Sequence, residues 1–345
     1  VPFPPPPPRP AGPHRRSLLL AVAAGLVPLA GCSEESTEGL GQGSGGRRVS
    51  PEQRIRETAV RESLRLQAAY DATLAAHPAL AARLGPLRKA VAAHSTAFAP
   101  PPSGPGLPPG PSPSATATPR SSASAPAPAD AAAALAALAQ AERATAAART
   151  TALAQAPGEL ARVLASVAAC GAVHVQLLNT DEPGNGQRIT PAGLPDDDRD
   201  TPQRAAALTA AQSALAAEHA AVYGYGVIGA RTSADRRAEA RQDYAAHRDG
   251  RDALLEAVHE LGGSPRPSLA AYALPFGVSA PADTVRLAVW IEERIAGSYG
   301  DLVRAGEGQL RTLAAEALRE AALRAARWRG GGVAFPGLAE RAPTS

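Results

Sequence analysis

Apolar positions between residues 50 and 178 recur every three or four residues, in four blocks set apart by polar or Pro-bearing breaks. This is the period of an amphipathic α-helix, and the two-residue alternation of a half-buried strand is missing. The blocks predict helices over about 51–77, 78–98, 129–155 and 159–178. The first opens Ser50-Pro51-Glu52-Gln53, where Ser caps, Pro suits the first helical position and Gln completes a capping box. Residues 100–128 are dominated by Pro, Ser, Ala and Gly and cannot be helix. Residues 179–200 are polar and Gly/Pro-bearing, as a linker is.

After Thr201-Pro202, a cap followed by a first-turn Pro, the plan repeats with helices expected over about 203–230, 234–261, 282–304 and 307–329. In both halves the connection between the second and third helices is long and Pro-bearing, 100–128 in one and 262–281 in the other, while the remaining connections are short. Two antiparallel hairpins joined by one long crossover is the connectivity of ferritin-like bundles. The expected fold is therefore all-α, with two tandem ferritin-like four-helix bundles, the first diverged. A duplication at an offset of about 150 residues is also expected. It pairs Leu64 and Gln67 with Leu215 and Glu218, His94 with His247, and Leu138 and Glu142 with Ala288 and Glu292.

The N-terminus adds an address. Arg9, Arg15 and Arg16 precede an apolar stretch, 17–30, too short to cross a bilayer, and it ends Leu29-Ala30-Gly31-Cys32. This resembles the lipobox of bacterial lipoproteins, in which the Cys thiol receives lipid. The expected organisation is a lipoprotein signal peptide over 1–31, a flexible Gly/Ser-rich tether over 32–49, a helical bundle over 50–180, a linker over 181–201 and a ferritin-like four-helix domain over 202–340. Lipid on Cys32 would hold the chain at the outer face of the cytoplasmic membrane. Only Cys170 then remains, so no disulfide can form within the mature chain. Its apolar helical surroundings suit a small buried hydrophobe, with no activating base expected nearby.

Composition narrows the function classes. Aromatic residues are 3% of the chain and the formal net charge is +3, with Arg interleaved among Asp and Glu. No basic stripe marks a nucleic-acid partner.

Candidate chemistry lies on the inner helix faces. Leu215, Glu218, Val222 and Tyr225 share one face of the fifth helix, which turns Glu218 inward. His247 shares a stripe with Tyr244, Arg251, Leu254 and Val258, and Glu292 lies among Val285, Ala288, Ile295 and Tyr299. On the last helix Glu320 and Arg324 flank the stripe of Leu313, Ala317, Ala321 and Trp328. A buried carboxylate must be paired, hydrogen-bonded or metal-bound. Glu218, His247, Glu292 and Glu320 therefore offer either a site for iron or manganese or a metal-free network neutralised by Arg and Tyr; the network, with no cofactor, is the favoured reading. Glu256 and His259 form the one Glu-x-x-His of this half, but Glu256 points away from the stripe. The first half offers Gln67, His94, Glu142 and His174, read as satisfied core polar groups. Gly224, Gly226 and Gly229 interrupt the helix of Glu218 at about 1 kcal/mol each relative to Ala, a loss that close helix packing would offset.

The second half holds Ala217-Glu218-His219-Ala220-Ala221-Val222-Tyr223-Gly224-Tyr225-Gly226, His247-Arg248-Asp249 with Arg251-Asp252, Tyr272-Ala273-Leu274-Pro275-Phe276, Glu292-Glu293-Arg294 and Arg327-Trp328-Arg329 with Phe335-Pro336-Gly337. By these motifs residues 204–340 resemble an actinobacterial family of ferritin-like domains classed as a domain of unknown function. It implies a ferritin-like bundle and brings no reaction. The expected role is a membrane-anchored, non-enzymatic envelope scaffold or binding module; the alternative is a metal-binding protein or metal-dependent oxidase. Glycan hydrolysis by paired carboxylates is disfavoured, because nothing in the sequence predicts an open groove.

Overall fold

Short polar side chains set the helix starts. Ser50 Oγ accepts the Gln53 N–H at 3.1 Å and Thr201 Oγ1 that of Arg204 at 3.2 Å, each just ahead of a Pro. These bonds satisfy donors that a helix leaves orphaned at its first turn. The expected capping box at Ser50 is not completed, because the Gln53 amide donates forward to Glu57 Oε1 at 2.9 Å. Asp130 caps the third helix in the same way, accepting from Ala133 N at 2.7 Å.

The computed structural model describes residues 49–99, 127–179 and 201–341, which form helices and no strand. The signal peptide with Cys32, nearly all of the tether and of the insert, and most of the linker lie outside the described residues. The helices are α1 (Pro51–Ala76), α2 (Ala81–Phe98), α3 (Ala131–Ala152), α4 (Gly158–Leu178), α5 (Pro202–Arg231), α6 (Arg237–Glu260), α7 (Pro281–Ala305) and α8 (Gly308–Arg329). In the first half α1 pairs with α2 and α3 with α4, and the hairpins meet through α1 and α3. The second half repeats this with α5 on α6, α7 on α8, and α5 against α7.

One hydrophobic core runs through both halves, and a second, smaller one around Leu66, Tyr70, Leu84 and Leu138 lies within the first half. Helix α4 is apolar almost all round, and besides α3 it packs on α7 and α8. It is the one described helix long and apolar enough to cross a membrane, but most of that apolar surface is buried against its neighbours. Arg311 of α8 fastens the same junction: its NH1 donates to the carbonyls of Leu153 and Ala156, at 2.9 and 2.8 Å. The segment after α8 crosses the junction as a strap. Ala334 offers its carbonyl to His94 Nε2 at 2.8 Å, and the Pro336 carbonyl accepts from Ser166 Oγ at 2.7 Å. Gly337 lies with φ 75° against Ala296 of α7, where a Cβ would come within 2.5 Å of the Ala296 carbonyl oxygen.

Two expectations of register fail. Leu64, matched to the core residue Leu215, is 52% exposed; the inner stripe of α1 is Ala59, Ser63, Leu66, Tyr70 and Thr73. Of the three glycines of α5, only Gly224 is a close-packing position, since a Cβ there would meet Ile291 of α7 at 2.5 Å. At Gly226 and Gly229 an added Cβ meets nothing within 4 Å.

Candidate functional site

Helices α5, α6 and α7 each send one expected ionisable side chain into the interior of the second half. His247 of α6 lies between two carboxylates: Nδ1 donates to Glu218 Oε2 at 2.8 Å and Nε2 to Glu292 Oε1 at 3.0 Å. With both ring nitrogens donating, the ring is an imidazolium. Tyr299 gives its hydroxyl proton to Glu218 Oε1 at 2.8 Å, and Tyr225 gives its own to Glu292 Oε1 at 2.5 Å. Glu218, His247 and Glu292 are all at most 2% exposed.

The fourth helix does not contribute the expected acid. Glu320 stays outside the cluster, 2.8 Å from its neighbour Arg319 but without hydrogen-bond geometry. In its place Arg324 turns inward, its Nε 3.0 Å from both oxygens of Glu292. Two carboxylates thus face two cations, the arrangement that makes buried charge tolerable. Gly250 makes room for it, because a Cβ on α6 there would lie 2.8 Å from Glu218 Oε1 and 3.2 Å from the Tyr299 hydroxyl.

Asp243 extends the network and was not singled out from the sequence. It accepts from Trp328 Nε1 at 2.7 Å and from Arg327 at 3.0 Å, and it is 1% exposed. The signal was present: residues 243, 247, 250, 254 and 257 step along α6 at helical spacing, one position off the stripe drawn through Tyr244. Tyr244 itself is half-buried at the rim. Glu256 and His259 are exposed, as the geometry of their helix required.

The first half holds a related cluster in a different register. Glu142 of α3 accepts from Tyr70 at 2.8 Å and lies 2.6 Å from His174 Nδ1 of α4. At the 150-residue offset Glu142 and His174 align with Glu292 and Arg324, and each pair sets a carboxylate against a basic side chain of the following helix. His94, matched in sequence to His247, instead faces the Ala334 carbonyl. Burial, with Arg149 nearby, pushes His94 down to about 3, so it is neutral. Cys170 does have an imidazole beside it, which the sequence reading did not anticipate: His174 Nε2 is 3.3 Å from its sulfur, one helical turn along α4. The group is sealed, Cys170 being fully buried and His174 1% exposed.

These environments fix a pH dependence. Burial pulls His247 down, but the carboxylates of Glu292 and Glu218 outweigh it and raise the imidazole from 6.5 to about 9. A raised imidazole stabilises the fold fully below its unfolded value, and the contribution is lost as pH climbs through the folded one. His174 acts in the same sense, because Cys170 and Glu142 overcome burial and raise it to about 10. Glu292 is the converse: burial raises it, but Arg324 and His247 bring it from 4.5 to about 2, so its contribution fades as pH falls through that range. His94, depressed, adds to the acid loss below 6.5. The thermal midpoint is therefore expected to be highest near pH 6.5 and to fall towards both about 9 and about 2. Calorimetry at one-unit pH steps checks this, and His247→Gln should flatten the alkaline limb; an unchanged limb refutes the assignment.

The interior does not fit a di-metal centre. Carboxylate-bridged bundles need a Glu-x-x-His on two helices, whereas here a guanidinium occupies both oxygens of Glu292 and the imidazole is consumed by two carboxylates. Among the described residues no three His, Cys, Asp or Glu side chains are disposed to hold an ion.

Comparison with known proteins places this half. No curated protein matches the chain. Among solved structures, that of a conserved hypothetical protein, rv2844, from Mycobacterium tuberculosis is 34% identical, over 36% of this chain and 96% of that one, with a TM-score of 0.36. Residues 210–340, which contain all of the Glu218, His247 and Glu292 cluster, match the family described as a domain of unknown function, DUF4439, and through this half the chain belongs to that family.

Proposed function

We propose that the protein is a non-enzymatic binding module or scaffold of the cell envelope, built on ferritin-like bundles and held at the outer face of the cytoplasmic membrane by lipid on Cys32. One observation carries the non-enzymatic part: the ionisable groups of the interior are spent on each other. A general acid or base needs a proton or lone pair available to a substrate. His247 gives both N–H groups to carboxylates, and Glu292 gives both oxygens to Arg324. Groups arranged this way fix the relative positions of α5, α6, α7 and α8. The lipobox-like run ending at Cys32 supports the anchor.

The test uses the full chain expressed in a lipoprotein-processing bacterium fed radiolabelled palmitate, then purified from membranes and assayed for iron, manganese and zinc after iron reconstitution. Label that disappears in Cys32→Ala, together with far less than one metal per chain, is expected. Stoichiometric iron lost on Glu218→Ala would establish the metal-dependent alternative. Membrane retention of unlabelled protein would remove the anchor.

A further inference from the structure

Away from the buried cluster, the outer faces of α5 and α6 and the crossover residues 268–272 enclose an open groove of about 750 Å³. Tyr223, Tyr244 and Tyr272 line it, and Tyr223 and Tyr272 lean together with ring centroids 5.7 Å apart at 51°. Tyr223 and Leu269 are two of the few large hydrophobic side chains left exposed. Gly226 forms part of the lining. Unlike Gly224 it accommodates no neighbouring helix, since a Cβ there meets nothing within 4 Å. Helix propensity alone would favour Ala at such a position by about 1 kcal/mol, so packing within the fold does not explain the glycine.

The polar groups of the groove specify what could fill it. His219 Nε2 is buried and has no partner. Burial lowers its imidazole, against the opposing effect of the Arg266 carbonyl. A buried ring nitrogen without a partner calls for one. Arg251 and Asp252 lie side by side with 2.8 Å between Nε and Oδ1, presenting donors and an acceptor together. Arg231 is turned to the Val278 carbonyl.

We propose that this groove binds a neutral oligosaccharide. Sugar hydroxyls, which both donate and accept, supply the partner that His219 Nε2 lacks and can engage the Arg251–Asp252 pair as donor and acceptor at once. The electron-rich faces of the tyrosines attract the weakly positive C–H face of a pyranose, and the space above Gly226 admits the ring. A Pro-rich peptide also favours aromatic-lined grooves, but proline has no N–H to set against the Asp252 carboxylate. Asp252 is the one carboxylate lining the groove, so the paired acids of glycoside hydrolysis are not assembled there. The proposal rests on the reading of the protein as a non-enzymatic binding module.

Saturation-transfer NMR on the full chain, with maltotriose, cellotriose and mannotriose as probes and decaproline and glucuronic acid as alternatives, tests it. Transfer to the ring C–H protons of at least one trisaccharide is expected. Gly226→Leu, which fills the groove with a better helix former, should keep the helical circular dichroism signal and weaken binding at least about tenfold. His219→Ala should weaken it by about three- to tenfold. No transfer from any of the three sugars, undiminished binding by a folded Gly226→Leu protein, or binding of decaproline or glucuronic acid alone overturns the proposal. Recovery of the sugar intact is expected; its cleavage would defeat the non-enzymatic reading while leaving the groove as the place where sugar binds.

Discussion

Replacing Arg324 by Met should destabilise the fold by about 3–5 kcal/mol, the range for a buried ion pair deprived of one partner. Met matches the length of the side chain and keeps its apolar contacts, so the loss is specific to the guanidinium. Glu292 would then keep His247 as its one cation and Tyr225 as its other donor, both on Oε1, and Oε2 would lose the donor Arg324 gives it. Pairing Arg324→Met with Glu292→Gln removes the uncompensated charge and should recover a large part of the loss. Urea denaturation of the single and double variants measures both quantities. A single-variant loss below about 1 kcal/mol would show that Arg324 contributes no more than an exposed pair does.

Gly337→Val should cost about 2–4 kcal/mol, the sum of a left-handed backbone imposed on a branched residue and of overpacking. The φ of 75° disfavours any side chain, and the Cβ would be driven into the Ala296 carbonyl. Gly262 separates the two causes: its φ is 80°, but an added Cβ meets nothing within 4 Å. Gly262→Val should therefore show the backbone part alone, about 1–2 kcal/mol. Equal losses in the two variants, measured by thermal unfolding, would mean that the strap is free to move off α7.

The helices and their caps were legible because spacing, Pro positions and short polar residues agree locally at Ser50 and Thr201. The inward turn of Glu218, His247 and Glu292 was legible for the same reason, since each shares a stripe with apolar neighbours. What periodicity could not rank was two polar residues flanking one stripe. Glu320 and Arg324 stand one helical turn apart at the same edge of the α8 stripe, and only the partner on α7 decides which turns in; an acid there would have repelled Glu292, and a cation pairs with it. Asp243 was missed because a Tyr next to it drew the stripe over by one position. Leu64 misled for the converse reason, a large apolar residue on an outward face, which is ordinary on protein surfaces. The joining of the halves did leave a trace: α4 is apolar over most of its circumference, and a helix of that kind must be covered on more than one side.

Helix α4 lies on a flank of α7 and α8. Any chain that folds one such half by itself inherits that flank bare. It must then recruit a second copy of itself, for which a symmetric pairing of like surfaces is the common solution, or have exchanged those side chains for ones that water accepts. In this protein the neighbour is supplied in advance, by covalent connection, so the greasy side of the family domain never has to find a mate in solution.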